Sequence, residues 1–255
     1  MRILPQRGRS WNTRMERLQK QYLRIALFLL PAIAFYSALL VYPIGKSLYL
    51  SFHSWSGIGG EAPVFVGFRN YARIFADPGF WKAFQNTLYL TAMSIAIQIP
   101  AGFLLAVILN MNLRGTRYLK MAFFMPVILS ATSVSLMWKF ILYPGDGLVD
   151  TVLKGLGLGE LIFAWLADPK TVLNVIVLIV CWQGVGIVML IFLAGLVSIP
   201  DSLLEAAAID GAGALQRIRH IVVPLLRGAL SINITLLLIA SLKSFDIIYV
   251  LTGGT

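Results

Sequence analysis

The stretch VLNVIVLIVCWQGVGIVMLIFLAGLV, residues 172–197, followed directly by SIPDSLLEAAAIDGAG, residues 198–213, decides how this chain folds. The first part carries no Asp, Glu, Lys or Arg. As a helix rising 1.5 Å per residue it reaches about 39 Å, more than the roughly 30 Å of hydrocarbon in a bilayer. The second part reverses that character at once: Pro200 stops the run, and Asp201, Glu205 and Asp210 bring charge back within a few residues. The pattern is a spanning helix followed by a short polar element at one membrane surface.

Outward from this stretch, four more apolar runs are long enough to cross, at about 25–49, 87–109, 121–143 and 229–251. None shows the alternation of barrel strands about ten residues long. Helices satisfy their own backbone polar groups where water is absent, so the expectation is an all-α polytopic membrane bundle. Composition agrees: 58% of the 255 residues are hydrophobic and 13% charged, with a mean hydropathy of +0.82, against roughly 25% charged in soluble domains. Disorder, collagen and secreted disulfide scaffolds are excluded. The one cysteine, Cys181, lies in an apolar run and reads as a buried, inert thiol. The first run follows a basic segment over residues 1–24. It outlasts the 7–15 apolar residues of a signal peptide and shows no small-residue cleavage site, so it reads as an uncleaved membrane helix.

The net charge of +10 would suggest nucleic acid in a soluble protein, but these charges lie between apolar runs and report topology instead. On one side stand Arg2, Arg7, Arg9, Arg14, Arg17, Lys20 and Arg24, then Arg114, Arg117 and Lys120, then Arg217, Arg219 and Arg227. The other side holds fewer: Arg69, Arg73 and Lys82, then Lys154 and Lys170. By the positive-inside rule the N-terminus and the 198–228 loop are cytoplasmic, while 53–86 and 144–170 face outward. Trp55, Gly57, Gly59 and Gly60 read as an external turn. An interfacial amphipathic helix is expected around Asn70–Phe84, its aromatics Tyr71, Phe75, Phe80, Trp81 and Phe84 serving as an anchor or as a partner contact.

In the 198–228 loop, Ser202 and Glu205 have capping-box spacing and Gly211 supplies a helix end, predicting two turns over Leu203–Asp210. So short a helix needs packing to be stable. Ala206, Ala207 and Ala208 allow close approach of another surface. Two readings follow from the residues alone: a docking knob for a partner, or a loop helix covering the end of the bundle.

The string Glu205-Ala206-Ala207, Asp210-Gly211-Ala212, Ile221 and Pro224-Leu225-Leu226 resembles the EAA signature of binding-protein-dependent ABC importer permeases (MetI-like transmembrane domains). More narrowly it looks like the carbohydrate-uptake subfamily with the MalF and MalG type subunits of maltose transporters. The likeness extends to Phe65-Val66-Gly67-Phe68-Arg69-Asn70-Tyr71, Asn86-Thr87, Pro126 and the closing Phe245–Gly254. The resemblance implies a permease domain over 25–255 with a cytoplasmic coupling loop at 199–227, in a bacterial inner or plasma membrane. Glu205, Ala206, Ala207, Asp210 and Gly211 would form the coupling helix, seated in a cytoplasmic ATPase subunit. It also implies a second permease as heterodimer partner, two ATPase subunits that bind ATP and Mg, and an extracytoplasmic substrate-binding protein docking on 53–86 and 144–170. This chain shows no phosphate-binding Gly-x-x-x-x-Gly-Lys-[Ser/Thr], so ATP hydrolysis is expected in a separate subunit, and no catalytic residue is assigned to this one. The implied cargo is a sugar, oligosaccharide or polyol, with a phosphorylated polyol such as glycerol phosphate as an alternative. The family's design has at least six core helices, the last following a Thr-Gly-Gly such as Thr252-Gly253-Gly254. Five spans are therefore expected here with a sixth missing from the sequence, or a member that departs from the pattern.

Polar residues inside spans are the candidates for a substrate path. Trp182 and Gln183 combine a stacking face with an amide, beside Gly184 and Gly186, which equally suit close helix packing. Lys139, near Trp138 and Tyr143, either snorkels to headgroups or points into a path. Ser241 is a weaker candidate, and Lys243 and Asp246 are expected to neutralise each other on one helix face. Gln98, Pro100 and Pro126 suggest distorted helices. His53 and His220 lie on opposite sides of the membrane and no His, Cys or carboxylate cluster appears, so no metal site is expected. A membrane enzyme would need more convergent acids and bases. An ion-coupled secondary transporter would place acids near the midplane, where this chain has none.

Overall fold

The computed structural model describes residues 8–58, 61–111 and 114–253; Arg2, Arg7, Gly59, Gly60 and Gly254 of the sequence reading lie outside the described residues. The described residues are almost wholly helical and divide into two compact units, residues 1–81 and 82–255.

In the first unit, Gly8–Tyr36 (α1) and Tyr42–Ser51 (α2) run together through a wider π turn at Ser37–Val41. Pro43 accounts for that turn. It has no amide hydrogen for the Leu39 carbonyl and its ring crowds the preceding turn, so the Tyr42 amide reaches back to the Ser37 carbonyl instead. The first spanning helix thus covers Gln19–Ser51, longer than the 25–49 expected. His53–Ser54 (β1) then pairs antiparallel with Val64–Phe65 (β2). Gly67, at φ +60°, turns the chain into Arg69–Ala76 (α3). Asn70 donates to the carbonyls of Ser51 (3.0 Å) and His53 (2.9 Å), and the Tyr71 hydroxyl lies 2.7 Å from Ser51 Oγ. The Phe65–Tyr71 string therefore clamps the ribbon and α3 to the end of α2.

The amphipathic helix is shorter than the sequence reading has it. It stops at Ala76 because Asp77 precedes a proline and is extended, with its Oδ1 accepting the Gly79 amide at 2.8 Å. Pro78 opens the next helix, Pro78–Asn110 (α4), so Phe80, Trp81 and Phe84 belong to a spanning helix.

The second unit holds the rest of α4, then Thr116–Ile128 (α5), Ala131–Ile141 (α6), Leu148–Gly155 (α7), Val172–Val197 (α8), Asp201–Ile209 (α9), Ala214–Arg217 (α10), Val223–Leu225 (α11), Arg227–Leu242 (α12) and Phe245–Thr252 (α13). α8 is the hub, and its glycines set how closely its neighbours approach. A side chain at Gly184 would meet Gln98 Oε1 of α4, one at Gly186 the backbone of Phe123 and Phe124 in α5, and one at Gly195 the side chains of Leu226 and Ala229. Small residues permit such packing where no hydrophobic force draws helices together. Polar ties add to it: Tyr89 donates to Asn174 Oδ1 at 2.6 Å, and buried Asn233 donates to the Val188 carbonyl at 3.4 Å.

The third apolar run is not one straight span. α5 and α6 meet at 100°. Pro126 removes a helical donor, Leu129 is extended, and Ser130 restarts the chain by capping the Ser133 amide at 3.1 Å. The fifth run is also divided, because the backbone leaves α geometry at Lys243 and the Ser244 hydroxyl donates to the Ser241 carbonyl at 2.7 Å. Lys243 and Asp246 consequently sit outside a common helix, and no ion pair joins them among the described residues. The first helix, α4 and α8 are each long and apolar enough to cross singly. The α5/α6 pair and the Ala214–Leu225 segment with α12 raise the number to five if each bent pair is one span.

Two apolar clusters occupy the two ends of α8. One gathers Leu90, Val134, Ile176, Ile179, Cys181 and Ile247; the other gathers Ala106, Met189, Phe192, Leu196, Val222 and Leu226. Between them, at the middle of α4 and α8, lie fully buried Ser94 and Gln98 beside Gly184.

Candidate functional site

The helix after α8 is built to present a surface. Pro200 caps it in extended conformation and Asp201 opens it. The Ser202 hydroxyl makes no cap, so the capping box expected from Ser202 and Glu205 does not form; the helix begins two residues earlier than predicted, and Ser202 lies inside it. Its end follows the expected chemistry. Gly211 takes φ +83°, its amide bonds the Ala208 carbonyl at 3.1 Å, and the Ala212 amide bonds the Ala207 carbonyl at 2.9 Å, a Schellman closure.

Leu204 packs against the apolar cluster at this end of α8, and Ala207 is half-buried below it. Those positions, three apart, fix the inward stripe. Glu205, Ala206, Ala208 and Asp210 are exposed, and Ile209 is 87% exposed with Leu215 at 77% on the following segment. Among the described residues Glu205 makes no hydrogen bond or ion pair, and its carboxylate is exposed. A shallow concavity of about 370 Å³ beside the helix is lined by Asp210, Gly211, Gln216, Arg217 and His220. It is shaped by Gln216, whose Oε1 accepts the Gly213 amide at 2.8 Å. The surface combines small side chains, protruding aliphatic groups and unused charge on a rigid short helix, which suits seating in a protein cleft.

The other sequence candidates separate into three places. Trp182, 39% exposed, stands edge to face with Trp138 at 5.6 Å, joining α8 to α6. Trp138 is a partner that spacing along one helix could not have supplied, since it lies on a different helix, α6. Gln183 donates to the Leu129 carbonyl at 3.1 Å, the acceptor that the α5/α6 break frees, so its amide holds the bend. Ser241 is buried next to the break before α13. Lys139 and Tyr143 line a separate open cavity of about 880 Å³ at the opposite end of α8 from α9. The 144–170 segment is organised around fully buried Asp150, which accepts from the Gly145 amide (2.7 Å) and Trp165 Nε1 (3.2 Å).

Comparison with known proteins agrees with this arrangement. Residues 98–255 match the family described as binding-protein-dependent transport system inner membrane component. The sulfoquinovosyl glycerol transport system permease protein SmoG of Agrobacterium fabrum is 33% identical over 228 residues, 89% of this chain and 73% of its own length. The lactose transport system permease protein LacF of Rhizobium radiobacter is 34% identical over 231 residues, 90% of this chain and 76% of its own length. A bacterial alginate ABC transporter, crystallised in complex with an alginate pentasaccharide-bound periplasmic protein, superposes with a TM-score of 0.77 at 21% identity, over 94% of this chain and 81% of its own. With apolar helices packed on α8, an exposed short helix directly after it and the family match over the same residues, this chain belongs to the binding-protein-dependent inner membrane permeases of ABC importers.

Proposed function

We propose that this chain, paired with a second permease, forms the membrane path of an ATP-driven importer for a sugar, oligosaccharide or polyol, and that α9 is where ATPase motion enters it. Permeases of this family are not enzymes, and hydrolysis lies in a separate subunit. Of two cytoplasmic ATPase subunits holding ATP and Mg, one would seat α9, with the N-terminus on the same side by the charge distribution. A substrate-binding protein would deliver cargo to the segments around α3 and α7. The observation that carries the reading is α9 itself, anchored by Leu204, closed at Gly211, and presenting Glu205 and Ile209 on its exposed face, Glu205 without a partner among the described residues.

Mechanistically, α9 transmits force because it is short, stiff and connected to α8 by only Ser198–Pro200. Movement of α9 with its ATPase would shift α8, and through the close contacts at Gly184, Gly186 and Gly195 would shift α4, α5 and the start of α12 together. The broken α5/α6 span supplies the place where rigid elements can pivot. Trp182 and Trp138 offer faces on which a pyranose ring could stack, and we place the path beside them. The glycoside names of the relatives favour this cargo class over an ion-coupled solute.

The test is uptake into proteoliposomes holding the complete transporter, with cargo identified by calorimetry of its binding protein against a sugar and polyol panel. Uptake is expected to require ATP inside and to persist when ionophores collapse ion gradients. Uptake that follows an ion gradient without ATP contradicts the proposal.

A further inference from the structure

The cavity at the end of α8 farthest from α9 has two characters. Its rim carries Lys82, Asn86, Thr87, Lys139 and Tyr143. Its wall is aliphatic, formed by Leu90, Leu142, Leu173, Ile176, Ile248 and Leu251. No Asp or Glu lines it, and neither lysine is ion-paired among the described residues. Two ammonium groups without a counter-charge, beside the Asn86 amide and the Tyr143 hydroxyl, call for an oxyanion; the Thr87 hydroxyl donates within its own helix, to the Ala83 carbonyl at 2.9 Å. An apolar wall beneath them calls for hydrocarbon rather than a polyhydroxylated ring, because sugar hydroxyls placed against leucine and isoleucine would lose their hydrogen bonds.

We propose that this cavity binds an anionic glycerophospholipid, its phosphate between Lys82 and Lys139 and an acyl chain along Leu173, Ile176 and Leu251. Lysine stems can lie along the apolar wall while their charges meet the headgroup layer, where a phosphate supplies the missing counter-charge. The helix geometry agrees, since the cavity is lined by Val172, the first residue of α8, about 38 Å along that helix from Val197. It therefore lies at a membrane surface, and on the proposed topology that surface is the outer leaflet. The α6/α13 contact forms one side of the cavity, with Ser135 Oγ 3.4 Å from the Ile247 carbonyl. A lipid wedged there would brace the far arm of the broken span. Lys139 is thereby a headgroup ligand and not part of the cargo path.

The experiment uses the complete transporter with its native partner subunits, exposed in detergent to mixed micelles of equal phosphatidylglycerol and phosphatidylcholine, with retained lipid counted by native mass spectrometry. Phosphatidylglycerol is expected to be retained in preference, enriched by up to roughly thirtyfold at about 1 kcal/mol per lysine. The Lys82→Gln/Lys139→Gln pair is expected to lose the preference and the Lys82→Arg/Lys139→Arg pair to keep it. Leu173→Trp, which fills the apolar half with both lysines intact, is expected to lower retention; it reads the same claim should the glutamine pair fail to assemble. Equal retention of both lipids by the unaltered protein, or a preference untouched by the glutamine pair, overturns the proposal. So does displacement of the lipid by soluble glycerol phosphate, which would make the site one for a free anion, or the absence of any retained lipid, which would mean that protein fills the cavity. None of these outcomes depends on transport, so the proposal can fail while the transport reading stands.

Discussion

Replacing Glu205 with lysine is expected to cut ATP-dependent uptake by roughly 5- to 150-fold, the span of a coupling free energy of about 1–3 kcal/mol, while leaving the amount of assembled permease unchanged. The carboxylate is exposed on the middle of α9 and binds nothing among the described residues, so reversing its charge removes no contact that holds this chain together. What it changes is the surface offered to a partner, where a reversed charge in a closed cleft is left without its counter-group. Residual ATP hydrolysis should then run with little or no uptake. Gly211→Val tests the same element from its end. At φ +83° a β-branched residue costs on the order of 1–3 kcal/mol, so the Schellman closure should fray and uptake should fall again. Comparing purified complexes by size-exclusion chromatography with uptake in proteoliposomes separates assembly from coupling. Unchanged uptake in both variants would remove α9 from the mechanism.

A second large effect is expected at Gly186. A Cβ there would run into the Phe123 carbonyl oxygen, with the Phe123 carbonyl carbon and Phe124 Cα both at 3.1 Å. These are backbone atoms, so no rotamer change relieves the clash, and α5 would have to move away from α8. Overpacking of this kind costs about 1–3 kcal/mol or more, here at the contact on which the broken span rests. Gly186→Leu should lower the thermal midpoint and the yield of assembled complex. Gly228→Leu, where a Cβ meets nothing within 4 Å, should leave both unchanged. Equal midpoints for the two variants would contradict the hub role of α8.

Much of this was legible in the sequence because the relevant physics is one-dimensional. An uncharged run of sufficient length defines α8, and Gly211 with its positive φ marks the end of α9 from residue type alone. The bend between α5 and α6 was half visible: Pro126 signals distortion, but a 100° turn needs the Ser130 cap and the Gln183 amide from a helix 54 residues away. The division of the fifth run at Lys243 had no proline or glycine to announce it. Ser202 misled because capping-box spacing fits several starting points and Pro200 with Asp201 supplied an earlier one. Trp138 and Lys82 gain their meaning only from what faces them across the fold, which single-helix periodicity does not carry.

The central claim, that α9 is seated in an ATPase subunit, is open to one direct measurement. Ile209 is the most exposed apolar side chain of α9, and the chain's single cysteine, Cys181, is buried in the bundle. In the complete transporter carrying Ile209→Cys, a photoactivatable thiol reagent placed at that position would report what touches α9. The account predicts a covalent adduct between this chain and the ATPase subunit, with a yield that changes when ATP is added. Adducts confined to lipid or to this chain itself, with none to the ATPase, would contradict it.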